Sequence, residues 1–324
     1  MSPSPERSTP APHQGRGARP HPLSPPRQER SDLALPGAPA LRQQPSSNPP
    51  PRQGRGELRA AEDHHPQPGA VPAPARRTPV PPLLLLAHGS RDPRHAATVE
   101  ALADAVRALA PRLPVTTAYL DHCAPRIAQV APRLTGAIAV PLLLNRAFHA
   151  KHDIPAALRA AGSSIPVADV LGPSPLLLAA LDRRLAETGL DVADPAVRAR
   201  TGVVLAAAGS SDPAANATTR AVAAEWRRTR GWAAVTTAYA SATTPTVPDA
   251  LAELRTVPAV RTTAVAPYLL APGLLPDRIA TAATTAAADH LAPVLGAAPE
   301  LARLLLTRHT EAAAATDTTA ARTA

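Results

Sequence analysis

The sequence has little cysteine, few aromatic residues and no long hydrophobic run, and each shortage excludes a class of protein. Cys123 is the only cysteine among 324 residues, which excludes an internal disulfide and a cysteine-rich metal site. The apolar run at 80–87 is too short to cross a membrane and lies too far from the amino terminus to be a secretory signal. We therefore expect a cytoplasmic protein without a membrane segment.

Residues 1–80 lack any sustained hydrophobic period. They are rich in Pro, Arg, Gln, Ser and Gly, and such a composition cannot bury enough apolar surface to offset the entropy of ordering. Eleven arginines against six acidic residues give this segment +5 of the formal net charge of +9. The aromatic residues on which single-stranded nucleic acid stacks make up only 2% of the sequence. We predict a disordered Pro/Arg-rich tail and no nucleic-acid partner.

The first strongly apolar stretch, at 83–93, predicts a buried parallel strand followed by a turn and a helix. Four consecutive leucines without polar alternation indicate a strand that is covered on both faces. Pro93 suits the first turn of a helix, where its missing N–H costs nothing. Ligands of open α/β sheets bind beyond the carboxyl ends of the strands, so His88 stands at a position suited to chemistry.

A strand and a helix then alternate four times, counting this first pair. Such alternation predicts a doubly wound parallel sheet with right-handed crossovers. The predicted helices are 94–110, 125–134, one that begins at 154 after the capping residue Asp153, and 175–188; the strands that follow the first are 115–120, 137–144 and 165–170.

After a polar linker at 191–201 the pattern begins again. The copied stretches are 83–93 with 203–213 and 115–119 with 235–239, each 120 positions apart, and 141–144 with 267–270, which are 126 apart. A repeat of this length means two similar α/β halves. The predicted organisation is a tail at 1–80, halves at 81–190 and 200–309, and a disordered Ala/Thr tail at 310–324.

The duplication separates residues that serve the fold from residues that serve chemistry. The glycine, serine, aspartate and proline of the first turn are present in both halves, whereas three ionisable residues at strand ends are not. The replaced residues are His88, Asp121 and His149, and their counterparts are Ala208, Ser241 and Leu275. We predict that these three residues form one site in the first half. His122 and His152 are predicted to face solvent, with His152 a possible helper, and His95 to lie on the surface.

Two histidines and a carboxylate from separate strand ends can hold a divalent first-row metal with coordination positions left open. A nucleophilic triad of Ser90 or Cys123 with His88 and Asp121 is the competing chemistry. Ser90 is retained as Ser210 beside Ala208, where no base is present, so its capping of the turn accounts for its presence.

Three separated motifs follow one another in the first half: Leu-Ala-His-Gly-Ser-Arg-Asp-Pro at 86–93, Tyr-Leu-Asp at 119–121 before a proline-containing helix, and Pro-Leu-Leu-Leu at 141–144 with His149 and Asp-Ile-Pro at 153–155. They resemble the motifs of the sirohydrochlorin chelatases, the class II tetrapyrrole chelatases that insert cobalt or ferrous iron into sirohydrochlorin. The resemblance covers about residues 83–309. The duplicated layout is similar to the long bacterial form, in which the amino-terminal half is active.

The resemblance implies that His88 and His149 hold the metal, because the family's two metal-binding histidines occupy these motif positions. The acidic residue that ends the second strand is commonly glutamate in the family, and here it is Asp121, which is one methylene shorter. The family's loop before the second histidine often contains glycine, whereas this chain has Asn-Arg-Ala-Phe at 145–148.

The implied reaction fits the chemistry of these residues. Sirohydrochlorin carries many carboxylates, which suits Arg91, Arg146, Lys151 and the turn at Ser90 as substrate contacts beside a helix N-terminus. Two pyrrole N–H protons leave as the metal enters, and a histidine can ligate a metal or accept a proton near neutral pH. We expect His88 and His149 to do both, and Asp121 to orient a histidine or join the metal's shell.

The sequence leaves several alternatives open. A carrier that binds a metal or tetrapyrrole without inserting it fits the same residues, as does a monomer or a homodimer. A bifunctional synthase with dehydrogenase activity is disfavoured, because no G-x-G-x-x-G follows a strand. The expected enzyme is a lyase-class chelatase with no permanent cofactor, for which Co²⁺ or Fe²⁺ is a substrate. Cobalt would place it in cobalamin synthesis and iron in siroheme synthesis.

Overall fold

The structure is a computed structural model that describes residues 80–145 and 153–323. The predicted disorder of 1–80 falls almost entirely outside this range. The elements of the first half are β1 (Leu83–Ala87), α1 (Pro93–Leu109), β2 (Val115–Tyr119), α2 (Ile127–Val130), a 3₁₀ turn (Ala131–Arg133), β3 (Ile138–Pro141), α3 (Ile154–Ala160) and α4 (Pro175–Ala186).

The first half is built on a parallel sheet with strand order β2-β1-β3. In the register of this sheet, Leu83 pairs with Val115 on one side and with Ile138 on the other. All five residues of β1 are buried, as the run of leucines predicts for a central strand covered on both faces. All three strands therefore end at one edge of the sheet, where the predicted site residues follow them.

The second half repeats this sheet and adds one strand. Its elements are α5 (Pro195–Arg198), β4 (Thr201–Ala207), α6 (Pro213–Arg230), β5 (Ala234–Tyr239), α7 (Val247–Thr256), β6 (Thr262–Pro267), α8 (Leu274–Thr285), β7 (His290–Leu291) and α9 (Pro299–Thr323). The parallel strand order is β5-β4-β6-β7, so β4 takes the central place of β1. The predicted fold of two similar parallel α/β halves is confirmed.

Proline accounts for two local differences from the sequence prediction. The fourth strand predicted at 165–170 is reduced to a single bridge between Ala139 and Val167. Pro166, which has no N–H to donate, precedes that bridge and limits pairing. The helix predicted at 125–134 is only α2 followed by the 3₁₀ turn, because Pro132 removes the next helical donor.

The two halves exchange their last helices. The helix α4 of the first half packs on β6 of the second, and α9 at the end of the second half packs against α1, α4 and β3 of the first. Buried residues of both halves consequently form one hydrophobic cluster. The sequence boundary at 190–200 thus separates two repeats that share a core.

The carboxyl-terminal prediction differs from the structure. The Ala/Thr composition predicts a disordered tail at 310–324, whereas α9 continues to Thr323. Alanine has the highest helix propensity, and extending a helix that tertiary packing has already formed is easier than starting one. Within the described ranges, no helix is both long and apolar enough to cross a membrane.

Candidate functional site

A hydrogen-bonded turn carries the chain from β1 into α1. The Ser90 hydroxyl accepts from the Asp92 N–H at 3.1 Å, and the Asp92 carboxylate accepts from the Arg94 N–H at 2.9 Å, which caps α1. The capping role expected for Ser90 is confirmed. Its predicted contact with substrate stays a prediction.

Gly89 allows this turn to pack directly against the turn after β2. Its φ is +93°, and a Cβ at this position would lie 1.8 Å from the carbonyl oxygen of Asp121. The Asp121 N–H also donates to the His88 carbonyl oxygen at 2.8 Å. These backbone contacts place the predicted site residues His88 and Asp121 side by side at the sheet edge.

His88 and Arg91 are both exposed at this edge. An exposed imidazole just beyond a fully buried strand is held by a rigid base and remains accessible to a metal or a tetrapyrrole. Their roles as metal ligand and substrate contact stay predictions.

The Asp121 carboxylate is held by two basic neighbours. Arg126 Nη1 donates to Asp121 Oδ1 at 2.7 Å, and His122 Nε2 lies 3.4 Å from Asp121 Oδ2. The hydrogen bond from Arg126 is the main cause of the lowered pKa of Asp121, followed by the bond from the His122 N–H. The prediction that His122 faces solvent is confirmed, since the residue is exposed, and its ring also lies beside Asp121.

The position of His95 corrects the sequence prediction. A surface side chain is expected there, yet the residue is half-buried, and its Nδ1 is buried with no hydrogen-bond partner among the described residues. Its ring centroid lies 6.5 Å from that of Tyr119. Burial lowers the pKa of His95, and the nearby His88 lowers it further. The duplication carries the signal that identifies this residue, because the counterpart of His95 is Ala215.

The remaining predicted site residues, His149, Arg146, Lys151 and the helper His152, lie outside the described residues. Within residues 80–145 and 153–323, no three His, Cys, Asp or Glu side chains are grouped to hold a metal. The described part of the site thus supplies His88, Asp121 and the half-buried His95.

The second half preserves the backbone of this site without its ionisable side chains. The Ser241 N–H donates to the Ala208 carbonyl oxygen at 3.0 Å, as Asp121 does to His88. The Ser241 hydroxyl donates to the same carbonyl at 3.0 Å, so it serves the turn. Leu275, the counterpart of His149, stands in the first turn of α8.

The strand ends of the two halves face each other. Arg94 Nη2 and Asp277 Oδ2 form an ion pair at 2.6 Å across this boundary, and Asn145 Nδ2 donates to Thr219 Oγ1 at 3.2 Å. A cavity of about 260 Å³ lies between the ends of β3, β4 and β6, and Ala208 and Ala215 contribute to its wall. Alanines thus stand in its wall at the positions that correspond to His88 and His95, beside polar residues such as Ser210 and Asn216.

Duplicated parallel α/β halves with facing strand ends, of which only the first presents His88 and Asp121, are typical of the class II chelatase fold. The sequence pattern of the CbiX family matches residues 82–188 and again residues 202–312. The chain belongs to this family of sirohydrochlorin chelatases.

Relatives of known function agree with this assignment. A sirohydrochlorin ferrochelatase from Priestia megaterium is 30% identical over 171 residues, which are 50% of this chain and 62% of the relative. The match thus spans less than two thirds of that relative's length.

Two solved structures are similar over most of their length. SirB from Bacillus subtilis with Fe³⁺ is 25% identical, with a TM-score of 0.61 over 73% of this chain and 96% of that one. SirB from Bacillus subtilis subspecies spizizenii in complex with cobalt is 25% identical, with a TM-score of 0.57 over 71% and 94%.

Proposed function

We propose that this chain is a sirohydrochlorin chelatase that inserts Co²⁺ or Fe²⁺ into sirohydrochlorin. The observation that carries the proposal is the difference between the halves: one backbone frame appears twice, and only the copy in the first half presents His88 and Asp121 at the sheet edge. A residue that the frame does not need is retained for chemistry. The names of the relatives, which include a ferrochelatase and a chelatase with cobalt, support the same reaction.

The proposed reaction exchanges one divalent metal ion for two protons. Sirohydrochlorin loses the protons of two pyrrole N–H groups, its four nitrogens bind the metal, and two protons are released to bases and water. In this proposal His88 and His149 present the metal and accept the protons, because neutral imidazole serves both purposes near neutral pH. The metal is a substrate and leaves in the product.

Asp121 acts in this proposal through its charge and its fixed position. Its lowered pKa keeps the carboxylate ionised at neutral pH, and its bond to Arg126 fixes its orientation. An ionised carboxylate beside a metal-bound imidazole makes that imidazole a better ligand, as in other metal sites. Arg126 bonds to Oδ1, so Asp121 can join the metal's shell through Oδ2 while it keeps that bond.

The proposed substrate contacts lie around the same edge. Ser90, Arg91, Arg146 and Lys151 would face the carboxylates of the tetrapyrrole, and arginine suits carboxylates because its planar fork can donate two parallel hydrogen bonds. Arg91 is exposed and so available for this contact.

Anaerobic incubation of the purified chain with sirohydrochlorin and excess Co²⁺ or Fe²⁺ tests the function. The absorbance change of metal insertion should continue for many turnovers per protein molecule, faster than the reaction without protein. Ni²⁺ in a third arm measures metal selectivity. A change that stops at one equivalent would identify a carrier and overturn the proposal, and so would a rate equal to the uncatalysed one.

A further inference from the structure

The duplication keeps the turn after the first strand of each half but fastens it differently. In the second half the Asn216 side chain does this: its Oδ1 accepts from the Ser210 N–H at 3.1 Å, and its Nδ2 donates to the Ser210 carbonyl oxygen at 2.7 Å. Asn216 is buried at 7% exposure and follows the cap of α6. Its counterpart in the first half is Ala96, which has no hydrogen-bonding side chain.

In the first half the thiol of Cys123 takes over both bonds. The Ser90 N–H donates to Cys123 Sγ at 3.5 Å, and Sγ donates to the Ser90 carbonyl oxygen at 3.1 Å. A thiol is both a weak donor and a weak acceptor, so one atom can serve the two backbone groups. In the first half, the side chain that holds the Ser90 backbone therefore belongs to the turn after β2, which also contains Asp121.

This change of partner has a consequence for the site. Asn216 ties its turn to the following helix, whereas Cys123 ties the turn that carries His88 to the turn that carries Asp121. The link lies two residues beyond each of these side chains and adds to the Asp121 to His88 backbone hydrogen bond at 2.8 Å. It therefore restricts the movement of one turn relative to the other.

We propose that Cys123 is a positioning residue that holds the His88 turn against the Asp121 turn. This inference rests on the proposed function only where activity is measured. The thiol touches neither metal nor substrate in this role and undergoes no reaction. Its contribution is the relative placement of two side chains that must act on one metal ion.

The second half supplies the design of the test. The Cys123→Ala variant should lose about tenfold in the rate of metal insertion, because losing the support of a metal ligand costs about 10–100-fold. Adding Ala96→Asn to that variant copies the Asn216 tie into the first half and should restore the rate to within about twofold. Thr243→Ala, at the counterpart of Cys123, is the matched control and should leave the rate unchanged.

A readout in the absence of substrate separates positioning from folding. Co²⁺ affinity, measured by spectroscopic titration, should weaken in Cys123→Ala and recover in the double variant, while the melting temperatures of the two variants agree. A double variant that has the same melting temperature as Cys123→Ala but regains neither rate nor affinity would overturn the proposal. So would a Cys123→Ala variant with normal rate and affinity.

A third measurement decides the inference even if the wild-type chain inserts no metal. Cys123 is the only thiol, so its reaction with a disulfide reagent is unambiguous. Ala96→Asn alone should raise this reaction rate several-fold, because the new amide takes the Ser90 groups and releases Sγ. An unchanged thiol rate would show that Sγ does not hold the turn, independently of the chelatase reaction.

Discussion

The two halves of this chain have nearly the same strand-end backbone and very different side chains on it. The glycines that begin the two turns have φ values of +93° and +85°, and a Cβ on either would strike a carbonyl oxygen at 1.8 Å or 2.0 Å. The hydrogen bonds that join the turns measure 2.8 Å and 3.0 Å. The frame thus forms equally well around Ala208 and Ser241 as around His88 and Asp121.

The two halves also differ at a buried polar atom, His95 Nδ1, which has no hydrogen-bond partner among the described residues. A buried histidine nitrogen without a partner costs free energy, and such groups call for an explanation. The second half avoids the cost by placing Ala215 where the first half has His95, and it leaves a cavity there. The first half keeps three features that its fold does not need: an exposed histidine, a fixed carboxylate and a half-buried imidazole.

The largest expected effect tests whether chemistry resides in one half. His88→Ala should lower the rate of metal insertion more than about 100-fold, since losing an outer-shell partner of a ligand already costs about 10–100-fold. The melting temperature should stay close to that of the wild type, because His88 is exposed and Ala208 fills the same place in the other half. Steady-state insertion assays and thermal unfolding measure the two quantities.

Ala208→Ser is the matched control for this experiment and should keep at least half of the wild-type rate. A severe loss of activity in the Ala208→Ser variant, with His88→Ala remaining active, would mean that the second half carries the reaction.

How far the sequence predicts this fold depends on the element. The leucines of β1 and the Asp92–Pro93 cap specify a strand and a helix through local rules, and both form as expected. Single prolines, at 132 and 166, cut short elements whose apolar pattern is otherwise sound. The exchange of α4 and α9 cannot be read from the sequence at all, because an amphipathic helix covers either of two similar sheets equally well.

The site shows the same limit. His88 and Asp121 are recognisable because a duplication exposes residues that the frame does not need. His95 has the same signature, but helical periodicity does not report which side chains a neighbouring strand end buries. The partners Arg126 and His122 depend on side-chain geometry that a sequence does not contain.

The second prediction tests whether the exchanged helices join the halves energetically. Asp182 on α4 accepts hydrogen bonds from Trp226 Nε1 at 2.8 Å and from Arg230 Nε at 2.6 Å, both on α6. Burial raises the pKa of Asp182, and its bonds to Arg230 and Trp226 oppose that rise. Asp182→Ala leaves the buried indole N–H unpaired and should lower the free energy of unfolding by about 1–3 kcal/mol.

Urea unfolding measures this change, and both halves should unfold in one shifted transition. Asp104→Ala, which removes an exposed ion pair with Arg107 within α1, is the control and should change stability very little. Two separate transitions, of which only one shifts, would refute the coupling of the halves.

The third prediction concerns His95 and separates its contribution to activity from its contribution to stability. His95→Ala removes an unsatisfied buried nitrogen but also the contact with Tyr119, so the free energy of unfolding should change by less than about 1 kcal/mol. If the His95 imidazole supports the metal site at His88, the rate of metal insertion should fall about tenfold. Chemical unfolding and insertion assays on the same preparation check both. A variant that is strongly destabilised yet fully active per folded molecule would make His95 a core residue.

The smallest expected effect tests the contact between α9 of the second half and the residues just before β1. His309 is 3% exposed, and its Nε2 lies 2.8 Å from the carbonyl oxygen of Pro81, just before β1. Burial lowers the pKa of His309 below its ordinary value of 6.5, and the bond to Pro81 opposes this in part. Its contribution to stability is therefore complete above pH 6.5 and is lost as the pH falls towards the folded-state pKa, because only the unfolded chain binds the proton there.

The His309→Gln variant isolates this contribution, because it keeps an N–H donor that cannot titrate. The stability difference between pH 7 and pH 5 should shrink by about 1 kcal/mol or less, as urea unfolding at the two pH values measures. His95 retains its own slope of the same sign in both chains, so the comparison between them reports His309 alone. The stability difference between the two pH values could instead be the same in the variant and the wild type. Protonation of His309 would then cost no stability, and this histidine would not fix α9 against β1.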